Sequence, residues 1–216
     1  MSRRLRLDPP DHALLDLLTW RTRAATAEQF QALLKALGHP AESCPRLVPR
    51  LRSAGLLLAA QAVLSVMSLS RPLFTWPSGG NDPDCDALAW QLSRRLRAAK
   101  PRPGMVYWAS PRAVCLVGGT GGFLRRPLQL QHDVTTTTVF IRRVQIDSQT
   151  ADNWFGEDVL RHYYHDLFRG KLPDAAVFSR DRSVSCVIEC GGNYSAERLR
   201  RFHRFCLKES FPYELW

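Results

Sequence analysis

Leu14, Leu17 and Leu18 recur at helical spacing, so the pattern predicts a first helix over Asp11–Arg23 with Asp11 as its cap. A second helix follows from Thr26, where Gln29 three residues on completes a capping box. Phe30, Leu33, Leu34 and Leu37 then form an apolar stripe that stops at Gly38. Ser43 can cap a third helix through Leu47, Leu51 and Ala54, with Gly55 as its stop. Pro49 interrupts that segment, so this helix is either kinked or begins near Pro49. Leu56–Leu69 is apolar and β-tolerant, Pro72–Trp76 resembles it, and Pro77–Gly80 breaks the chain, which reads as a hairpin.

Beyond the breaker, Leu88, Leu92, Leu96 and Ala99 predict a helix from about Cys85, capped from the Asn81–Asp84 turn. Pro101–Gly104 reads as a linker, and Met105–Ala109 with Ala113–Val117 as a hairpin around Ser110–Arg112. The glycine run 118–122 reads as a turn, because no Lys-Ser or Lys-Thr follows to make a phosphate loop. Over Gln131–Val144 the threonines favour a strand, but Val134, Ile141 and Val144 keep helical spacing, and we read a helix. An amphipathic helix over Asp152–Arg169 would place Glu157 beside its buried stripe. Strands are expected at Ala175–Phe178 and Val184–Cys190, then a Ser195-capped helix with Leu199, Phe202, Phe205 and Cys206 inward. The aromatic end, 211–216, reads as an edge strand or a partner contact.

Composition narrows the classes. With 216 residues of which 45% are hydrophobic, the chain can bury a core and is not disordered. The long uncharged run Ser53–Ser70 holds Gly55, Gln61 and four serines, which argues against a membrane span. The basic start runs into Asp8-Pro9-Pro10-Asp11 rather than an apolar segment, so no signal peptide is expected. Six scattered cysteines without a CxxC pair read as reduced thiols in the cytoplasm, not as a zinc site. The net charge of +10 lies wholly in the first 150 residues, since the last third carries 10 basic and 10 acidic residues. Such asymmetry favours a polyanionic partner. Arginine outnumbers lysine 26 to 4, which suits phosphate recognition but also follows from GC-rich coding.

Three helices and a hairpin are the order of a winged helix-turn-helix, expected over residues 1–80, with 81–104 as connecting helix and linker. Its third helix would present Arg46, Arg50 and Arg52 to double-stranded DNA, with Arg71 near the wing. The competing reading is a helical bundle with solvated arginines.

Glu157 on a helix, Pro173-Asp174 at a strand start and Ile188-Glu189-Cys190-Gly191 at the end of the next strand resemble the core of the PD-(D/E)xK nuclease-like superfamily. Together with the N-terminal helices, Gln131-His132-Asp133 and Trp154-Phe155-Gly156-Glu157, the layout is similar to the replication-relaxation family of bacterial DNA-associated proteins. The resemblance implies an α+β chain: a winged helix-turn-helix followed, over 105–216, by a small α/β nuclease-like domain. It also implies a link to plasmids, mobile elements and DNA mobilisation. A working site would hold Mg²⁺ through Asp174 and Glu189, with Glu157 holding a water or second ion. The activating lysine of such sites belongs two residues past the glutamate, where this chain has Gly191; Lys171 and Lys208 stand at other spacings. The alternative is structural: Asp174 caps a turn, Glu189 pairs with an arginine such as Arg198, and Glu157 lies at the surface.

His162 and His165, spaced i, i+3, lack a zinc-protease pattern and read as surface or core residues rather than metal ligands, while Arg198, Arg200, Arg201 and Arg204 offer a second basic face. Three functions remain open from the residues. The first is a DNA-binding accessory or regulatory protein of a mobile element, whose nuclease-like domain is inactive, needs no cofactor and serves assembly. The second is a Mg²⁺- or Mn²⁺-dependent endonuclease using Glu157, Asp174 and Glu189. The third is a protein-interaction subunit of a nucleoprotein complex, with other proteins or a second copy of the chain as partner.

Overall fold

The computed structural model describes residues 6–40, 43–65, 67, 69–121 and 129–216. Met1–Leu5 and the last glycine of the 118–122 run lie outside the described residues. The chain is α+β and divides into two compact units, each made of two separated stretches: 1–62 with 103–148, and 63–102 with 149–216. This division differs from boundaries at 80 and 104. Residue 80 lies inside the second unit, and the stretch after 104 is divided, 105–148 belonging to the first unit and 149–216 to the second.

In the first unit, α1 (Pro9–Asp16) begins two residues earlier than the leucine spacing suggests. Asp8, not Asp11, is the N-cap; Pro9 and Pro10 fill positions whose missing N–H groups cost the helix nothing. Asp11 is fully buried and accepts a 2.8 Å hydrogen bond from the Asp8 amide. A π-helical turn, Leu17–Arg21, continues α1. The strand β1 (Ala25–Thr26) leads into α2 (Ala27–Ala36), whose Thr26–Gln29 capping box forms as the spacing predicts. Gln29 does more: its Nε2 donates to the Val134 carbonyl at 2.7 Å and to Thr138 Oγ1 at 2.9 Å on α6 (Leu130–Ile146). That helix is the reading chosen for 131–144, with Val134, Val139, Phe140, Ile141 and Val144 buried. Its threonines satisfy their hydroxyls on carbonyls one turn back, which reconciles a β-branched run with a helix.

The helix α3 (Cys44–Ser53) carries Pro49 within it. Pro49 sits on the exposed side, so the lost backbone bond is left to water while Cys44, Leu47, Val48 and Leu51 stay buried. Ser43 occupies the N-cap position without a side-chain cap. Gly55 ends the helix at φ 69°, a left-handed conformation that glycine adopts without strain.

Strand pairing departs from the expected hairpins. β2 (Leu57–Ser65) does not pair with β3 (Phe74–Trp76); it pairs with β4 (Pro101–Ala109) in a sheet of order β1-β4-β2. The supposed linker 101–104 is the first part of β4. Residues 113–117 are not a strand but belong to α5 (Pro111–Val117), because Ser110 Oγ accepts from the Ala113 amide and Pro111 opens the first turn.

The second unit centres on a five-stranded sheet, order β3-β8-β7-β6-β5. Residues 152–169 are not one helix: α7 (Thr150–Asn153) and α8 (Glu157–Tyr163) flank β5 (Trp154–Gly156), which pairs antiparallel with β6 (Ala175–Phe178). β7 (Val184–Glu189) runs antiparallel to β6 and parallel to β8 (Tyr213–Leu215). The C-terminal strand is therefore interior to the sheet rather than at its edge, with Tyr213, Leu215 and Trp216 nearly inaccessible. The helices α4 (Cys85–Ala98) and α9 (Ala196–Lys208) pack together, and Leu88, Leu92, Tyr194, Leu199 and Leu215 form their shared core. No described helix is long and apolar enough to cross a membrane.

Candidate functional site

Two places in the molecule gather the residues singled out above, one in each unit. In the first unit α3 turns its apolar stripe inward, which leaves Arg46, Arg50 and Arg52 exposed. They are not equivalent. Arg50 makes an ion pair with buried Asp11 and lies 3.5 Å from Asp8, so it fastens α3 to the start of α1. Its pairing with these carboxylates, Asp11 first, pushes its pKa further up. Arg46 and Arg52 have no partner among the described residues and remain available to a ligand. Behind them, Arg112 donates to the Ala54 carbonyl at 3.0 Å, placing a cation where the α3 dipole is negative. Arg71 belongs to the second unit, in the exposed segment before β3, and so does not share a hairpin with β2.

In the second unit the antiparallel register pairs Ala175 with Ile188 and so sets Asp174 beside Glu189 at one end of β6 and β7. The Glu157 amide donates to the Asp174 carbonyl at 2.9 Å, while its carboxylate pairs with Arg161 one turn along α8. Asp174 Oδ2 accepts from the Cys190 amide at 2.7 Å. The structure thus puts Asp174 and Glu189 together and ties the Glu157 carboxylate to Arg161.

Glu189 is completely buried. Its Oε1 accepts from Lys171 Nζ at 2.9 Å and from the Tyr194 hydroxyl at 3.0 Å, with Arg198 Nη2 at 3.9 Å. Its Oε2 is also buried and has no hydrogen-bond partner among the described residues. Burial, and then the charge of Asp174, push the Glu189 pKa up to about 7 against the opposing pull of Lys171 and Tyr194. Burial and the same carboxylates drive the Tyr194 phenol far above its usual range, so it stays a donor. Arg198 lies over the Tyr194 ring, 3.6 Å from its centroid, and holds it in place.

Position 191, where the resemblance would put a lysine, has no room for a side chain. A Cβ at Gly191 would stand 2.5 Å from Leu92 Cδ2, so α4 fills the space a side chain there would need. An ammonium nevertheless reaches Glu189, from Lys171 in the loop before β6. Sequence spacing undervalued Lys171 and missed Tyr194, because both approach through loops whose path depends on the closed sheet.

An Mg²⁺ ion of the kind the resemblance implies takes carboxylate oxygens and several waters in an open octahedron. Here Glu189 is sealed and already faces a cation, and among the described residues no three His, Cys, Asp or Glu side chains gather to hold a metal. The donor set does not fit the ion. The histidines add no ligand group: His162 and His165 are exposed. His203 is buried between Asp82 at 3.1 Å and the Tyr213 hydroxyl at 3.2 Å. On α9, Arg200 pairs with Asp86 and Arg204 with Glu197, which partly neutralises the second basic face.

No family model matches the chain, and neither the curated proteins nor the solved structures contain a match.

Proposed function

We propose that this chain is a double-stranded DNA-binding protein whose first unit is a winged helix and whose second is a nuclease-like fold retained for assembly. It would serve as an accessory or regulatory factor of a plasmid or mobile element, in the manner of the replication-relaxation family. The observation that carries the reading is the first unit's order: helix, strand, helix, helix, strand, and a returning strand between the other two. That order supports a winged helix, with Arg46 and Arg52 exposed on α3 and unpartnered among the described residues and with β2 and β4 as the strands of its wing.

Charge supports the same unit. Counted by compact unit, residues 1–62 with 103–148 carry 14 basic and 7 acidic residues, against 16 and 13 in the other. In the second unit, a buried Glu189 held by Lys171 and Tyr194 supports a structural use of the old acidic site. Fluorescence anisotropy with a mixed-sequence duplex tests the proposal. Binding should be measurable at low salt and fall steeply as salt rises, through counterion release; absence of binding at low salt overturns it.

One observation favours the endonuclease reading instead: Glu189 Oε2 has no hydrogen-bond partner among the described residues, in a carboxylate whose other oxygen meets the Lys171 amine and which feels the charge of Asp174. Plasmid nicking with Mg²⁺ or Mn²⁺ decides between them. Nicking that disappears in Asp174→Ala would replace the accessory role with an enzymatic one.

A further inference from the structure

Two cationic side chains that the proposed function does not use meet at one cleft in the second unit. The segment 70–75 and α4 enclose a cleft of about 390 Å³, lined on its polar side by Ser70, Arg71, Thr75, Gln91 and Arg95. Gln91 and Arg95 are one helical turn apart, so both point from the same face of α4. Arg95 Nη1 is fully buried and has no hydrogen-bond partner among the described residues. Among the described residues no carboxylate lines the cleft.

A guanidinium out of water and without a counter-charge is costly, and buried charges are normally paired. Arg95 is half-buried with its Nη1 fully enclosed; that burial pulls its pKa down, and no acid among the described residues offsets the pull. The chain supplies a second cation, Arg71, where an acid would relieve the first. Two forked guanidinium groups, two hydroxyls and a carboxamide donor converge on one space. That inventory offers many N–H and O–H donors, which suits a tetrahedral dianion better than a planar monoanion. A volume of about 390 Å³ corresponds to roughly a dozen water molecules, enough for a phosphoryl group with an attached substituent.

We propose that this cleft is a phosphate-binding site in which the half-buried Arg95 is the anchor and Arg71 closes over the anion from the exposed side. The phosphoryl group can belong to a free phosphate compound or to a nucleic-acid backbone; the donors recognise what the two share. The proposal does not depend on α3, which lies in the other unit.

The test uses the full chain in phosphate-free buffer, with chloride holding ionic strength constant. Inorganic phosphate and pyrophosphate are titrated by calorimetry and by thermal melting, and a duplex by anisotropy. Wild type should be stabilised by the small anions. Arg95→Met should abolish that response, and Arg71→Gln should weaken binding by about tenfold, the loss of one charge-assisted contact. Without anion, Arg95→Met should melt no lower than wild type, since it removes a half-buried charge whose enclosed nitrogen is unpaired among the described residues and keeps an apolar stem. If the small anions have no effect but Arg95→Met and Arg71→Gln both weaken duplex binding, the site takes a backbone phosphate. Arg46→Ala separates the two sites, for it should weaken duplex binding and leave the small-anion response intact. The proposal is overturned if neither the small anions nor the duplex distinguishes Arg95→Met from wild type.

Discussion

Lys171 Nζ lies 2.9 Å from Glu189 Oε1, and this contact joins a loop amine to a carboxylate with no exposed surface. The pair is asymmetric, because the lysine side chain is 27% exposed and can be solvated alone, whereas Glu189 cannot. Removing the lysine leaves the costlier charge behind. Lys171→Met should therefore destabilise the fold by about 2–3 kcal/mol at pH 8, below the full range for a completely buried pair because the lysine is partly in water. At pH 5 the loss should be smaller, since Glu189 can take a proton. Urea midpoints at the two pH values measure it.

Glu189 also gives the wild type a pH dependence with a definite sign. Its pKa is raised from 4.5 to about 7, so the folded state binds its proton more tightly than the unfolded chain. That contribution to stability is fully present below about pH 4.5 and is lost as pH rises through about 7. Glu189→Gln keeps an acceptor for Lys171 and Tyr194 but cannot ionise. The variant should lose less stability than wild type between pH 5 and pH 8 in chemical denaturation, and equal losses would show that Glu189 titrates normally.

Gly191 is held to glycine by packing rather than by backbone conformation. Leu92 Cδ2 would stand 2.5 Å from a Cβ there. Gly191→Lys, which restores the lysine spacing of an active nuclease motif, should cost about 3 kcal/mol through overpacking and should not create nicking activity. Adding Leu92→Ala should recover part of the loss, a coupling that a double-mutant cycle reads directly.

On α3, Arg46 and Arg52 should behave alike and Arg50 differently. Arg46→Ala or Arg52→Ala should lower duplex affinity and reduce the salt slope by about one each, with the melting temperature unchanged. Arg50→Ala strands buried Asp11, so its main effect should be on stability, by about 2 kcal/mol in urea denaturation.

Local signals were legible where neighbours in sequence settle the outcome. The Thr26–Gln29 box, the cap Asp84 on α4, the cap Ser195 on α9 and the strand Ala175–Phe178 all follow from side chains within four residues of where they act. The misread segments are those whose fate depends on distant partners. The Asp152–Arg169 stretch has helical spacing, yet Trp154–Gly156 leaves the helix because β6 offers it an antiparallel edge. β2 lacks its expected neighbour because β4 returns from beyond residue 100 to pair with it, while β3 joins β8 at the far end of the chain.

The candidate sites divide along the same line. From the sequence alone came an apolar face on α3 that forces its arginines outward, and acidic residues at the ends of two strands that must be adjacent. Periodicity decides such things, because each repeat fixes which side of an element meets water. Only the tertiary structure decided which charges are already spent. Arg50 is bound to Asp11, Glu189 is met by Lys171 from a loop, and Arg95 is left without an acid. Pairing and desolvation depend on distances across the fold, and no spacing along the chain encodes them.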